Sequence, residues 1–299
     1  MRPKISVVIN TLNEQKNIQK GIESIRWADE IIVCDMQSSD ETSSIAKKLG
    51  AKVVSHKKEE YVELARNFAI SKASNEWVLV LDPDEEVPRT LSDRLMQIAS
   101  RMKEIDYVRI PRKNIIFGKW MKASMWWPDF QIRFFKKGKV KWTDKIHRPP
   151  EVLGEGIDIR EEEKLAIVHH NYENISEFLI RMIRYTKVQA EELKKEQYIF
   201  DWRDLIKKPL GEFLGRFFAN RGFEDGLHGL VLSLLQAFSQ LIVYLRMWEM
   251  EKFNQKDIDL NDLKNLNEQS RKEIDYWFKY GNLSKNPFKK FFQKVRSRI

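Results

Sequence analysis

At 299 residues the chain is long enough to bury a sizeable core and to carry one large domain with an appendage. Its single cysteine excludes an internal disulfide framework, and 53 Lys and Arg against 44 Asp and Glu give a net charge of +9, which turns attention to nucleic acid or an anionic membrane surface as partners. No repeats or low-complexity segments occur, and Met1-Arg2-Pro3-Lys4 leads into a strand pattern without a secretory signal, so a reducing cytoplasmic compartment is expected.

The elements alternate from the start. Lys4-Ile5-Ser6-Val7-Val8-Ile9 is a β-branched strand that runs into the polar cluster Asn10-Thr11-Leu12-Asn13-Glu14 and a helix over residues 17–25. A second strand, Glu30-Ile31-Ile32-Val33-Cys34, ends in Asp35, with Cys34 a small core residue. Gln37-Ser38-Ser39-Asp40-Glu41-Thr42 then caps a helix reaching residue 49. Lys52-Val53-Val54-Ser55 precedes a helix over residues 61–74. Trp77-Val78-Leu79-Val80-Leu81 is apolar throughout, the pattern of a strand buried on both faces, and it opens directly into Asp82-Pro83-Asp84-Glu85-Glu86. Four strand–helix alternations predict a parallel sheet wound with helices, whose ligands bind beyond the carboxyl ends of the strands.

Two carboxylates one residue apart, in a turn stiffened by proline, make a hard oxygen site suited to Mg²⁺ or Mn²⁺ carrying a diphosphate. An acidic turn after a strand is also a common solvated loop or helix cap, so Asp82 and Asp84 do not decide the function by themselves. Asn13 and Asp40 suit helix capping as well as they suit ligand contact.

The ordered set Ile5 to Glu14, Val33-Cys34-Asp35 with Ser38-Ser39-Asp40-Glu41-Thr42, Ala65-Arg66-Asn67 and Leu79-Val80-Leu81-Asp82-Pro83-Asp84-Glu85 resembles the inverting family 2 glycosyltransferases. Trp127-Pro128-Asp129-Phe130-Gln131-Ile132-Arg133-Phe134-Phe135 and Ile146-His147 extend the likeness toward the bacterial branch that adds glucose to the inner core of lipopolysaccharide. The resemblance implies the GT-A nucleotide-sugar-binding fold, an α/β architecture with a mostly parallel central sheet and a C-terminal helical appendage. It implies that Thr11, Asn13 and Glu14 line the nucleotide pocket and that Asp35 accepts a hydrogen bond from the base or ribose, as a carboxylate can from a uracil N–H. Arg66 then meets the base or diphosphate, Asp82 the ribose side and Asp84 the metal, with His147 as a further metal or phosphate contact. Inverting transfer needs a carboxylate to take the acceptor proton, and Asp129, placed ahead of Gln131 and Arg133, is the candidate base. The related branch commonly carries an acidic residue after the histidine, whereas here Arg148-Pro149-Pro150 follows, which bears on the acceptor and leaves the nucleotide half untouched. Trp120, Trp126, Trp127 and Trp142 offer sugar-stacking faces, with a core role expected for at least two.

Beyond this region, residues 175–196 have helical periodicity, Pro209-Leu210 opens a further helix, and residues 226–244 lack Lys, Arg, Asp and Glu over nearly the length of a bilayer span. His228, Gln236, Ser239 and Gln240 argue for a helix that packs on the protein or lies in the membrane face. Residues 257–279 read as a surface helix. In the tail, Lys289, Lys290, Lys294, Arg296 and Arg298 alternate with Phe288, Phe291, Phe292 and Val295, as in an interfacial amphipathic helix, although a solvated basic end fits too. The division expected is a catalytic domain over 1–175 (nucleotide-sugar half 1–115, acceptor half 116–175), a helical membrane-proximal region over 176–260 and a basic amphipathic tail over 261–299. The expected protein is a metal-dependent hexosyltransferase peripheral on the inner face of the cytoplasmic membrane. Its expected partners are a nucleotide-sugar donor, probed first as UDP-linked, a glycolipid or polysaccharide acceptor such as lipopolysaccharide core, and anionic lipid. A nucleotidyltransferase shares the strand and aspartate-pair logic and is the alternative enzyme. A basic nucleic-acid-binding protein is the third reading, but no zinc spacing, helix-turn-helix signal or aromatic RNA motif supports it, so nucleic acid is not expected as a partner.

Overall fold

A computed structural model describes residues 2–59, 61–143 and 149–280. The chain divides into two compact units, one formed by Met1–Ile115 with Trp127–Asn171, the other by Ile116–Trp126 with the chain from Tyr172 onward.

The first unit is built on a sheet whose parallel part is made by β1 (Ile5–Thr11), β2 (Glu30–Asp35), β3 (Lys52–Ser55) and β4 (Trp77–Leu81). Between them run α1 (Ile18–Ser24), α2 (Thr42–Lys48) and α3 (Glu63–Ser71). β1 and β4 are buried at every position, as continuous apolar runs covered on both faces must be. β1, β2 and β3 end at polar residues in register: Thr11 lies opposite Asp35, and Asp35 opposite Ser55. The expected α/β sheet therefore forms, and antiparallel strands extend it beyond β4. After the short β5 (Glu85–Glu86) and α4 (Arg89–Arg101) come β6 (Ile105–Ile116) and β8 (Asp129–Lys136), while the two-residue β7 (Lys119–Trp120) falls in the segment assigned to the second unit. β9 (Val140–Lys141) and β10 (Glu151–Val152) pair with each other, while β11 (Glu155–Asp158) lies parallel to β6. With β12 (Ile167–Tyr172) the spatial order is β3-β2-β1-β4-β8-β6-β12-β5.

Two apolar layers hold this sheet. Ile5, Val7, Ile9, Leu79 and Leu81 face α1 and α4 residues such as Ile22, Leu91 and Leu95, while Val8, Ile32, Val78 and Val80 face Ala69 and Ile70 of α3 with Phe135 and Trp142. Trp77 stacks on Phe134 with centroids 4.6 Å apart. Gly21 on α1 lies so close to the acidic turn that a Cβ there would stand 3.1 Å from the Pro83 carbonyl oxygen and 3.4 Å from that of Glu85.

The second unit is helical: α5 (Ile175–Lys195), α6 (Asp204–Leu214), α7 (Leu227–Met250) and α8 (Leu260–Tyr280). Asn174 caps α5, its side chain accepting from the Glu177 backbone N–H. α6 begins five residues before Pro209, which lies inside it. The start is set upstream, where Asp201 accepts from the Arg203 N–H at 2.8 Å and the buried Asp204 accepts from Tyr198 Oη at 3.0 Å. Ala190, Phe200, Val243, Tyr244 and Met247 form one apolar cluster, and Ile116, Met121 and Leu232 another. Asp225 is buried and accepts from the backbone N–H groups of Lys122 and Ala123 at 3.0 and 2.8 Å, which ties the 116–126 segment to this unit. Among the described residues, α7 is the one helix long and apolar enough to cross a membrane, and a third of its most apolar stretch is buried. It continues past residue 244 through Arg246 to Met250.

Candidate active site

The carboxyl ends of β1, β2 and β4 bring together the polar residues that sequence alone singled out, and they do so in two states of satisfaction. On the β1 side, Asn10 and Thr11 are almost fully buried, yet neither polar atom of the Asn10 amide nor the Thr11 hydroxyl has a protein partner. Arg66, on α3 and also buried, gives Nη2 to Asp82 Oδ1 at 2.7 Å while its Nε and Nη1 stay without partners, its guanidinium lying 5.7 Å from the Trp142 ring. Buried donors and acceptors cost free energy when left unmade. A row of them at the ligand edge of a parallel sheet suits a polar ligand, and a nucleotide offers the matching groups.

Asp35 ends β2 and accepts from the Ser38 N–H at 3.2 Å. Asn13 and Glu14 brace the loop after β1. Asn13, at φ 57°, accepts from the Ser39 N–H at 2.8 Å, and the Glu14 N–H donates to Thr42 Oγ1 at 2.8 Å. Asp40 accepts from the Thr42 and Gln15 N–H groups at 3.0 and 3.1 Å. These contacts hold the loop after β1 against the loop after β2, although the N-caps of α1 and α2 are Asn17 and Glu41 and not Asn13 or Asp40.

On the β8 side every carboxylate meets a cation or an amide. Asp82 lies between Arg66 and Arg133, Glu85 is fully buried and accepts from Arg133 Nη2 at 2.9 Å, and Arg112 reaches Glu85 at 3.4 Å and Asp129 at 2.8 Å. Burial would raise the Asp82 pKa, but the guanidinium of Arg133, then that of Arg66, pull it far below the usual carboxylate range. Asp129 and Arg112 face each other across the β6–β8 ladder. Asp129 also accepts from Gln131 Nε2 at 2.7 Å and Asn114 Nδ2 at 3.2 Å. Here too burial acts to raise the pKa, and Arg112 leads the contacts that lower it.

Asp84, next in the turn, is 8% exposed, and its Oδ2 stands 3.6 Å from Nε2 of His169, which is 6% exposed. β5 pairs antiparallel with β12 and sets His169 opposite Glu85, so a strand pairing carries the histidine to the acidic turn. The other ring nitrogen, Nδ1, is 2.6 Å from Asn114 Oδ1. Next to it, His170 Nε2 meets Glu86 Oε1 at 2.8 Å. Among the described residues no set of three metal-ligating side chains converges. A carboxylate and an imidazole with bridging phosphate oxygens is nevertheless how a small divalent ion is commonly held, and donors on such an ion stand about 3 Å apart, so the Asp84–His169 pair fits one.

Thr11, Asp35, Arg66, Asp82, Asp84 and Asp129 thus share one unit, with Asn13 and Glu14 on the bordering loop. His147 and Arg148 lie outside the described residues, as does the tail from 281. Trp142 is a core residue, its ring 5.6 Å from Phe135, and Trp126 packs partly against the cluster of Ile116, Met121 and Leu232. Sequence reasoning did not find Glu85, Arg112, Asn114 or His169 as site residues. The available signal was a histidine and an asparagine on the buried face of alternating strands, where polar side chains require a partner.

A sequence model of Glycosyl transferase family 2 matches residues 6–151. An uncharacterized glycosyltransferase of Rickettsia typhi is 30% identical over 256 residues, covering 83% of this chain and 87% of that one. The lipopolysaccharide core biosynthesis glycosyltransferase LpsC of Rhizobium meliloti is 22% identical over 83% of this chain and 94% of its own. Among solved structures, glucosyl-3-phosphoglycerate synthase of Mycobacterium tuberculosis, in complex with Mn²⁺, UDP-glucose and phosphoglyceric acid, is similar at 28% identity and a TM-score of 0.34. That match spans 37% of this chain and 44% of the synthase, less than half of its length.

Proposed function

The chain belongs to glycosyl transferase family 2, and we propose that it moves a sugar from a UDP-linked donor to a hydroxyl of a glycolipid or polysaccharide acceptor, with inversion at the anomeric carbon and with a divalent metal. The observation that carries this reading is the approach of Asp84 Oδ2 to His169 Nε2, 3.6 Å apart, beside a sheet edge where Asn10, Thr11 and Arg66 keep buried polar atoms without protein partners. In it, Asn10, Thr11, Asp35 and Arg66 receive the nucleoside diphosphate, and Asp84 with His169 holds Mg²⁺ or Mn²⁺ against its phosphates. Bound there, the ion takes up negative charge developing on the leaving group. The acceptor oxygen attacks the anomeric carbon, the bond to the diphosphate breaks with its electron pair, and Asp129 takes the hydroxyl proton. The contacts from Arg112, Asn114 and Gln131 keep Asp129 deprotonated and fixed in direction, at the expense of basicity.

A lipopolysaccharide-core acceptor is the finer form of the proposal, supported by the name of the LpsC relative. Neither nucleotidyl transfer nor nucleic-acid binding gains support from the relatives. Attachment to an anionic membrane surface, at the inner face of the cytoplasmic membrane, is proposed from the +9 charge and from α7, where Leu227, Leu234 and Phe238 are exposed at helical spacing. Sedimentation with anionic vesicles that weakens at high salt and on deletion of residues 285–299 is expected; no sedimentation at low salt removes the membrane from the proposal.

Thermal melting against a panel of nucleotide sugars, with and without Mn²⁺, tests the donor. A UDP-sugar is expected to raise Tm only when Mn²⁺ is present, because a ligand bound by the native state alone stabilises it by mass action. Equal stabilisation in chelator removes the metal from donor binding, and a preference for another nucleoside diphosphate replaces the donor. Release of UDP, not pyrophosphate, on turnover separates sugar transfer from nucleotidyl transfer.

A further inference from the structure

We infer that Asn114 is a positioning residue that serves both arms of the chemistry at once, its one amide aiming His169 Nε2 at Asp84 and holding Asp129 in place. The inference rests on the proposed roles of Asp84 and His169 as metal ligands and of Asp129 as base.

Asn114 lies on β6, is fully buried, and stands between the two groups: Nδ2 is 3.2 Å from Asp129 Oδ2 and Oδ1 is 2.6 Å from His169 Nδ1. Distances alone do not tell an amide oxygen from its nitrogen, but the neighbours do. An ionised carboxylate only accepts, and Asp129 is held in that form by Arg112, so the amide NH₂ must face Asp129 and the carbonyl must face the ring. A carbonyl cannot donate. The proton on the neutral imidazole is therefore on Nδ1, and Nε2 carries a bare lone pair.

The Nε2 atom stands 3.6 Å from Asp84 Oδ2. Two electron-rich atoms facing each other repel, and a cation shared between them turns the contact attractive. Metal-bound histidines commonly give their other N–H to an oxygen acceptor, which fixes tautomer and ring direction together. Asn114 supplies that acceptor here and spends its donor on the base. Aspartate at 114 keeps the acceptor for His169 but sets a second carboxylate against Asp129. Leucine keeps the approximate shape and supplies neither contact.

The test uses the full chain with ¹⁵N-labelled histidine, at a pH where the ring is neutral, with His169→Gln assigning the resonance. Wild type and Asn114→Asp are expected to show the proton on Nδ1 of His169. Asn114→Leu is expected to move it to Nε2, where Asp84 can accept it. Mn²⁺ binding in the presence of UDP, read by the electron paramagnetic resonance of free Mn²⁺, should stay within about 3-fold of wild type in Asn114→Asp and weaken roughly 10–100-fold in Asn114→Leu. UDP release should fall in both variants, and in Asn114→Asp the loss should be in kcat with donor KM little changed. Melting curves establish that each variant folds. Should Asn114→Leu not fold, Asn114→Asp decides alone: Mn²⁺ affinity lost, or kcat retained, overturns the inference. A wild-type tautomer and Mn²⁺ affinity in a folded Asn114→Leu overturns it equally. If wild type binds no Mn²⁺ with UDP while the tautomers behave as expected, the metal reading is lost and the positioning of His169 by Asn114 stands.

Discussion

The two sides of the site differ in how their polar groups are satisfied. Around β1 and α3, Asn10, Thr11 and two nitrogens of Arg66 are buried without protein partners, whereas around β8 and β6 the carboxylates of Asp82, Glu85 and Asp129 are each met by guanidinium groups. The first side keeps buried donors and acceptors that a ligand could meet; on the second the carboxylates are met within the protein, although Arg133 Nε there is also buried without a partner. Donor binding is then expected to add the missing contacts on one side and to find the reacting groups of the other already oriented, which is how a site avoids reorganising during the reaction.

Four changes break or sharpen this comparison. The largest effect on stability is expected from Arg133→Met, which leaves the buried Glu85 and the partly exposed Asp82 with one cation fewer; loss of one partner from a buried pair costs about 3–5 kcal/mol, read from denaturant unfolding. A loss under about 1 kcal/mol would mean that Arg66 and Arg112 neutralise both carboxylates unaided. Asp129→Asn is next, with turnover lowered roughly 10²–10⁴-fold and donor affinity unchanged. Donor binding lost with turnover intact at saturation moves Asp129 into the binding side and reassigns the base.

The third change is pH. Asp129 has its pKa below the ordinary 3.8, so the base stays deprotonated through the neutral range, and activity governed by it is lost only as pH falls below that value. The Asp82 pKa is also depressed in the folded state, so its stabilisation is present above the unfolded carboxylate range and declines as pH falls through that range and beyond. Neither carboxylate should therefore limit stability or turnover above about pH 5; an acid limb in kcat near pH 6–7 that saturating Mn²⁺ and donor do not remove assigns the base to another group. The smallest effect on stability belongs to the open side. Asn10→Leu removes a buried amide that bonds to nothing in the protein, and replacing such a group by an apolar one of similar shape is expected to change stability by no more than about 1 kcal/mol. Donor KM should rise all the same, by about 10-fold for a lost hydrogen bond or two. A large destabilisation would show that Asn10 is held by the fold and not reserved for a ligand.

What the sequence made legible follows the same division. The strands β1 to β4 and the residues at their ends could be read because burial on both faces leaves an uninterrupted apolar run, and a polar residue ending such a run marks the edge. Asp82 and Asp84 stood out that way, whereas the roles of Thr11 and Asp35 came from the family resemblance. Arg112, Asn114 and His169 were not, because their meaning lies in partners brought across β6–β8 and β5–β12 pairings. His169 reaches Asp84 from 85 positions along the chain, and the alternation in Ile167-Val168-His169-His170-Asn171 hints at an inward histidine without naming its partner. The antiparallel half of the sheet was hidden for the same reason, since strand direction is set by the connections. The start of α6 was misplaced to Pro209 because proline marks a first turn in isolation, while the helix begins at Asp204, after a turn in which Asp201 and Asp204 accept backbone N–H groups.

Gly21 sits on a helix and carries no reactive group, yet the carbonyls of Pro83 and Glu85 lie within 3.1 and 3.4 Å of where its first side-chain carbon would be. The acidic turn therefore rests on a bare patch of α1 as a shim rests on a machined face. Adding a methyl group there sets it against the Pro83 carbonyl, and the helix or the turn bearing Asp84 must give by a few tenths of an ångström. Since misplacement by about 1 Å can cost a reaction about 10²-fold, Gly21→Ala is expected to lower kcat by less than that, measured beside its melting curve.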